Sequence, residues 1–183
     1  VGHGGSFVRT EGGGATWSEV IVDEAGPDSL LGVTHVAGDH FVAYGAFGLY
    51  FDSQDAGKTW QRVTVLSEDF DRHISQIITV GTSLLLVAES GALARSDDGG
   101  ATWTALTSPY QGSYFGAVAV KDGSVLAFGM RGNVFRSLDV GTTWQIITNL
   151  LKGETPPVAV DVIKPAEGAT GWSETGMINS KTK

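Results

Sequence analysis

Four evenly spaced copies of one eight-residue pattern constrain this 183-residue chain more than any other feature. They are TEGGGATW (Thr10 to Trp17), SQDAGKTW (Ser53 to Trp60), SDDGGATW (Ser96 to Trp103) and SLDVGTTW (Ser137 to Trp144). Their tryptophans stand 43, 43 and 41 residues apart. A fixed period in this range marks a repeat architecture, in which each unit buries its apolar face against its neighbour. A second pattern, paired glycines and a short apolar run, precedes each copy: GHGGSFVRT from Gly2, GAFGLYFDS from Gly45, AESGALARS from Ala88 and GMRGNVFRS from Gly129. A weaker fifth version, GWSETGMINS, starts at Gly171 with one extra residue.

Between motifs the residues alternate as strands do. In the unit around residue 120, GAVAV (Gly116 to Val120), SVLAFG (Ser124 to Gly129), NVFRS (Asn133 to Ser137) and TTWQII (Thr142 to Ile147) read as four strands, with KDG and MRG as turns. Units starting near Leu31 and Ile74 read the same way, and no helix of useful length is predicted. Four short antiparallel strands per 41 to 43 residues is the signature of a β-propeller blade. The predicted fold is therefore all-β, a propeller of about four repeats. The approximate units are 1–24, 30–66, 74–107, 114–149 and 157–183 of one domain.

On this reading the eight-residue motif is the hairpin between the third and fourth strands. Asp55, Asp98 and Asp139 accept bonds from turn amides. Gly57, Gly100 and Gly141 supply the positive φ of the turn. Ser53, Ser96 and Ser137 bond back to the loop, and Trp60, Trp103 and Trp144 wedge between blades. In the first copy Gly12 replaces the carboxylate, so that turn must manage without its acceptor. A calcium loop built on Asp97 and Asp98 would need alternating ligands and a distal Glu, which this spacing does not supply. No metal or cofactor is expected.

Composition narrows the function classes. Twelve basic against 20 acidic residues leave a net charge of −8 with no basic cluster, which argues against a nucleic-acid partner. There is no cysteine, so disulfides and thiolate metal sites are excluded. No apolar run approaches the ~18 residues of a membrane-spanning helix. The 26 glycines are scattered, as many tight turns require.

The pattern S-x-D-x-G-x-T-W resembles the Asp-box, or BNR repeat, which implies a fold and not an activity. GALARSDDGGATW and GNVFRSLDVGTTW resemble the photosystem II stability/assembly factor-like family, over nearly all of the chain up to about Lys152. The segment ETPPVAVDVIKPAEGATGW departs from the pattern. The resemblance implies a non-catalytic scaffold or assembly factor whose client is a membrane protein complex, met from the exported, periplasmic or lumenal side. Family propellers are expected to carry more blades. The ring is closed by the chain ends sharing a blade, by a larger ring, or by pairing of two chains, and the sequence does not choose among these.

The binding face of such a propeller is expected in the loops joining strands two to three and in the connections between blades. The first group supplies His3, Phe47, Glu89, Ser90 and Arg131. The connections SEDFDRH (Ser67 to His73) and SPYQGSYF (Ser108 to Phe115) add Arg72, His73, Tyr110 and Tyr114. Exposed aromatics beside arginines suit a protein-binding patch. The competing expectation buries Tyr114 and Phe115 beneath the next strand. Arg9, Arg95 and Arg136, at equivalent positions before the box, form either a basic stripe or a solvated strand face. His35 and His40 are expected to be structural. Two rival functions remain, a sialidase-like glycoside hydrolase and a carbohydrate-binding lectin. Hydrolysis needs an acid and a base or nucleophile converging on one sugar. Glu89, Asp69, Asp71 and Tyr114 are its candidates, without a sialidase-type arginine motif.

Overall fold

The computed structural model describes residues 1–149, and the 157–183 unit lies outside the described residues. Strands β1 (Phe7–Arg9) and β2 (Ser18–Val20) form a two-stranded sheet. Three four-stranded antiparallel sheets follow. The first holds β3 (Leu30–Ala37), β4 (His40–Gly45), β5 (Tyr50–Ser53) and β6 (Gln61–Arg62). The second holds β7 (Ile74–Val80), β8 (Ser83–Ala88), β9 (Leu93–Ser96) and β10 (Thr104–Ala105). The third holds β11 (Tyr114–Ala119), β12 (Val125–Gly129), β13 (Asn133–Ser137) and β14 (Gln145–Asn149). Each sheet is a meander in chain order, the blade of a propeller. Among the described residues the only helical pieces are three-residue 3₁₀ turns.

The fourth strand starts later than the sequence suggests, at Gln145 rather than Thr142. The amide and hydroxyl of Thr143 are bound to the Asp139 carboxylate at 2.8 and 2.7 Å, so this residue cannot join the ladder. In all three boxes the serine hydroxyl is buried and doubly used. Ser96 Oγ donates to Asp98 at 2.7 Å and accepts the Gly100 amide at 2.7 Å, and Ser53 and Ser137 repeat this with Gly57 and Gly141. In the first turn Thr10 stands at the serine position, and its hydroxyl accepts the Gly12 and Gly14 amides as Ser96 accepts those of Asp98 and Gly100. Two adjacent residues per box are left-handed, and the first is not always glycine: Ala56 has φ 60° and Val140 φ 52°. The consecutive positive φ values turn the chain so that the glycine amide meets the serine hydroxyl, at the cost of strain at Val140.

Each box tryptophan reaches back into the preceding blade. Trp60 packs on Phe7 with ring centres 5.0 Å apart, and Trp103 meets Tyr50 edge-on at 5.7 Å. Trp17 has no blade before it among the described residues and is 62% exposed. Because both faces of a central strand are covered by neighbouring blades, β8 is an unbroken buried run from Leu84 to Ala88. Polar side chains stitch the inner strands together. Thr34 donates to the Ile77 carbonyl at 2.6 Å, Ser75 to the Tyr114 carbonyl at 2.7 Å, and the Ala117 amide to Gln76 Oε1 at 2.8 Å. The arginines expected as a stripe or a solvated face divide: Arg9 Nε donates to the Ala56 carbonyl and Arg95 to Thr142 Oγ1, each in the next blade's box, while Arg136 pairs with the half-exposed Asp122 of its own blade. As expected, His35 and His40 are bonded within their own blade, to the Gly38 carbonyl and to Asp52.

Two predictions follow from this packing. The Thr102 hydroxyl, its amide and Ser96 hold Asp98 down to about 2 from an ordinary 3.8. A carboxylate depressed in the folded state contributes stability above its unfolded pKa and loses it as pH falls through the folded one. Asp98→Asn is therefore expected to melt below wild type at neutral pH, with the gap closing between pH 3.8 and about 2 in paired thermal melts. The second concerns the joint between blades two and three. A Cβ on Gly100, at φ 98°, would lie 2.0 Å from Tyr50 Oη. Gly100→Ala should cost about 2 kcal/mol or more in urea unfolding. Adding Tyr50→Phe should recover part of that loss, because the clashing atom is then gone.

Candidate functional site, the turn face

The turns between second and third strands are one device repeated four times. They are His3–Gly5, Ala46–Gly48, Glu89–Gly91 and Met130–Gly132. The middle residue is left-handed in every copy: Gly4 at φ 64°, Phe47 at 51°, Ser90 at 54° and Arg131 at 62°. Such a conformation costs a non-glycine residue roughly 1–2 kcal/mol, so the surroundings must enforce it. They do so through the third residue. A Cβ at Gly48 or Gly91 would fall 2.1 Å from the carbonyl oxygen of Phe70 or Tyr110, so the connection to the next blade runs directly against the turn.

Backbone bonds complete the lock. The Ala46, Glu89 and Met130 amides donate to the carbonyls of Ser29, His73 and Ser113, each the last residue before its blade's inner strand. The side chains of these residues serve the preceding turn. His73 Nδ1 accepts the Phe47 amide at 3.1 Å, Ser113 Oγ accepts the Ser90 amide, and Ser29 Oγ bonds the His3 ring at 2.8 Å. One residue per connection thus holds two blades' turns. This column of Ser29, His73 and Ser113 was missed in the sequence as a set. Its only signal is a polar residue immediately before each inner strand.

The turns' middle side chains are left pointing outward. Phe47 is 56% exposed with its ring 4.6 Å from that of His73, and Ser90 and Arg131 are exposed. The His73 amide donates to Glu89 Oε1 at 3.0 Å, so Phe47, His73 and Glu89 form one contiguous run across two blades. His3 is exposed on the first turn. Arg72 is about half exposed, with Asp71 at 3.6 Å, and its carbonyl accepts the Gly48 amide. Arg131 forms no ion pair among the described residues.

Two of the expected patch residues belong to the interior instead. Tyr114 is fully buried at the start of β11, and its hydroxyl is hydrogen-bonded to Ser108 Oγ at 2.9 Å. Tyr110 is half-buried, packed on Tyr114 and Phe135, and donates its hydroxyl to the Met130 carbonyl. The connection folds under the fourth blade's turn, and that burial hides the rings. Burial also pushes the Tyr114 phenol above its ordinary pKa, the opposite of what a nucleophile needs. Phe115 is the exposed aromatic, at 61%, on the bulge of β11. Among the described residues no three His, Cys, Asp or Glu side chains converge as a metal site, and no helix is long and apolar enough to cross a membrane.

The scaffold and the displayed side chains separate cleanly in a stability experiment. Phe47→Gly puts at position 47 the residue that the first blade already uses there, and is expected to leave the chemical-unfolding midpoint unchanged or raised. Gly48→Ala should lower the unfolding free energy by about 2 kcal/mol or more, and the midpoint with it, because the backbone of Phe70 cannot yield as a side chain can.

A family described as photosynthesis system II assembly factor YCF48 matches residues 1–149. No curated protein matches the chain. Among solved structures, "YCF48 bound to D1 peptide" is similar at TM-score 0.58 and 22% identity, over 64% of this chain and 39% of that one. YCF48 from Cyanidioschyzon merolae follows at 0.57 and 20%, over 66% of this chain and 40% of its own. An ancestral GH74 enzyme is similar at 0.58 and 18%, over 72% of this chain and 21% of that one. The chain thus spans about two fifths of the length of the YCF48 structures, and at these identities the likeness shows the propeller fold.

Proposed function

The chain belongs to the photosynthesis system II assembly factor YCF48 family, and on that premise we propose that it is a non-catalytic, protein-binding propeller serving the assembly of a membrane protein complex. The observation that carries this reading is the turn face. Three blades hold a non-glycine residue left-handed at this turn and leave its side chain unburied, and the next connection runs directly against the turn at Gly48 and Gly91. A backbone fixed before binding avoids the ordering cost that weakens flexible loops. The displayed set, Phe47, Ser90 and Arg131 with Arg72 and His3 nearby, mixes an aromatic and guanidinium groups of the kind enriched at protein interfaces. A solved YCF48 carries a D1 peptide, and a segment of a membrane protein is the class of client proposed here. It would be met on the exported side of the membrane.

The hydrolase reading draws no comparable support. Its acid candidate Glu89 is engaged by the His73 amide, and Tyr114 is buried away from any surface. The likeness to a GH74 enzyme is one of fold.

Surface plasmon resonance over an immobilised D1 peptide tests the proposal. The native chain is expected to bind, and the Arg72→Ala/Arg131→Ala variant to bind at least tenfold more weakly with an unchanged melting temperature. Equal binding by the two proteins would remove the turn face as the site. No binding by the folded native chain would count against a D1-type client.

A further inference from the structure

A second feature lies beside the turn face and shares only Phe47 with the peptide-binding reading. Phe47 lines an open groove of about 670 Å³ beside the second blade. Glu24, from the connection between the first two blades, forms one wall. Arg62, Thr64, Glu68 and Phe70, from β6 and the chain after it, form the other.

The backbone of that second wall is unfinished. β6 is the outermost strand of its sheet, paired only with β5. The Val63 amide donates to the Tyr50 carbonyl at 3.1 Å. In an antiparallel ladder alternate residues turn their amide and carbonyl to opposite sides. The groups of Arg62 and Thr64, on either side of Val63, therefore face away from β5 and into solvent. Val65 is fully buried and Val63 half-buried against the core while both also border the groove, which pins this stretch in place. An ordered edge with free donors and acceptors is a template for one more strand.

The side chains say what kind of strand. Phe47 and Phe70 give an apolar end. Glu24 and Glu68 outnumber Arg62, and neither glutamate is paired with a base among the described residues. Glu68 is instead positioned by Thr64, whose hydroxyl donates to it at 2.8 Å. The chain as a whole carries −8, so long-range attraction also favours a basic partner.

We propose that this groove takes an extended, basic segment of a protein chain, which adds as a fifth strand to the second blade at Arg62–Thr64. An apolar side chain of the segment rests on Phe47, and a lysine or arginine lies between Glu24 and Glu68. The inference rests on the reading of the chain as a protein-binding propeller, but it uses a different surface from Arg72 and Arg131.

Fluorescence anisotropy with three labelled nine-residue probes tests it on the full chain. The first alternates leucine and lysine, the second replaces each lysine by glutamate, and the third is the first with alternate backbone nitrogens methylated. The leucine–lysine probe is expected to bind and to weaken with added salt. The glutamate probe should bind at least tenfold more weakly for want of charge complementarity, and the methylated probe likewise for want of backbone donors. Glu24→Gln/Glu68→Gln and, separately, Phe47→Gly should each weaken the first probe about tenfold, while Arg72→Ala/Arg131→Ala leaves it unchanged. Absent binding, equal binding of all three probes, or binding indifferent to the groove variants overturns the proposal. Self-association of the chain that Phe47→Gly abolishes would assign the groove to a second copy and overturn it too. Loss of D1-peptide binding with probe binding intact would strike only the turn-face reading, and the reverse result only this one.

Discussion

One buried hydroxyl per blade holds the most together. Ser53, Ser96 and Ser137 are each no more than 2% exposed, and each both gives and receives a hydrogen bond inside its hairpin. A buried hydroxyl left unpaired would cost more than a paired one contributes. The aspartate and the glycine amide are therefore required by the serine as much as the reverse. Once the serine is satisfied, the aspartate carboxylate faces the following residues and binds the amide and hydroxyl of the box threonine. That fixes where the tryptophan leaves the turn, and hence its direction into the preceding blade. The local hydrogen-bond pattern thereby sets a tertiary contact.

The joints between blades follow from that direction. Trp60 meets Phe7, and Trp103 meets Tyr50 while the Tyr50 hydroxyl reaches the carbonyl of Gly100 beneath it. Nearer the axis the same joints are polar, made by Thr34, Ser75 and Gln76 bonding to the backbone of the next inner strand. Apolar contact at the rim and hydrogen bonds at the centre divide the work by geometry. At the rim the blades diverge and large rings are needed to fill the gap. At the centre the strands lie close, and short polar side chains can span it.

The repeat and the roles of the box residues were legible because each depends on chemistry local to eight residues. The arginines before the box were not. Their partners, the Ala56 carbonyl and Thr142, lie 47 residues away in the next box, and only the closed inter-blade joint brings them together. Tyr110 and Tyr114 misled for a related reason. A connection of polar composition can still fold inward where the blade below offers an apolar floor, here Phe135. The left-handed residues of the second-to-third-strand turn were hidden differently. Glycine at that position in the first blade suggests a conformational need, whereas phenylalanine, serine and arginine in the others suggest none.

That same column carries the functional argument further than any single contact. The four copies within one chain share a backbone trace at this turn, so they act as variants of one position under one constraint. The residue after it is glycine in every copy, because the next connection leaves no room for a Cβ wherever that space is defined by Phe70 or Tyr110. The residue itself runs through glycine, phenylalanine, serine and arginine, three of them against the conformational preference of the amino acid. Packing cannot account for this choice, since the side chains are exposed, and stability would favour glycine throughout. A side chain kept at a strained and solvent-facing position, and changed from blade to blade, is what the proposed role of this face as a binding surface requires.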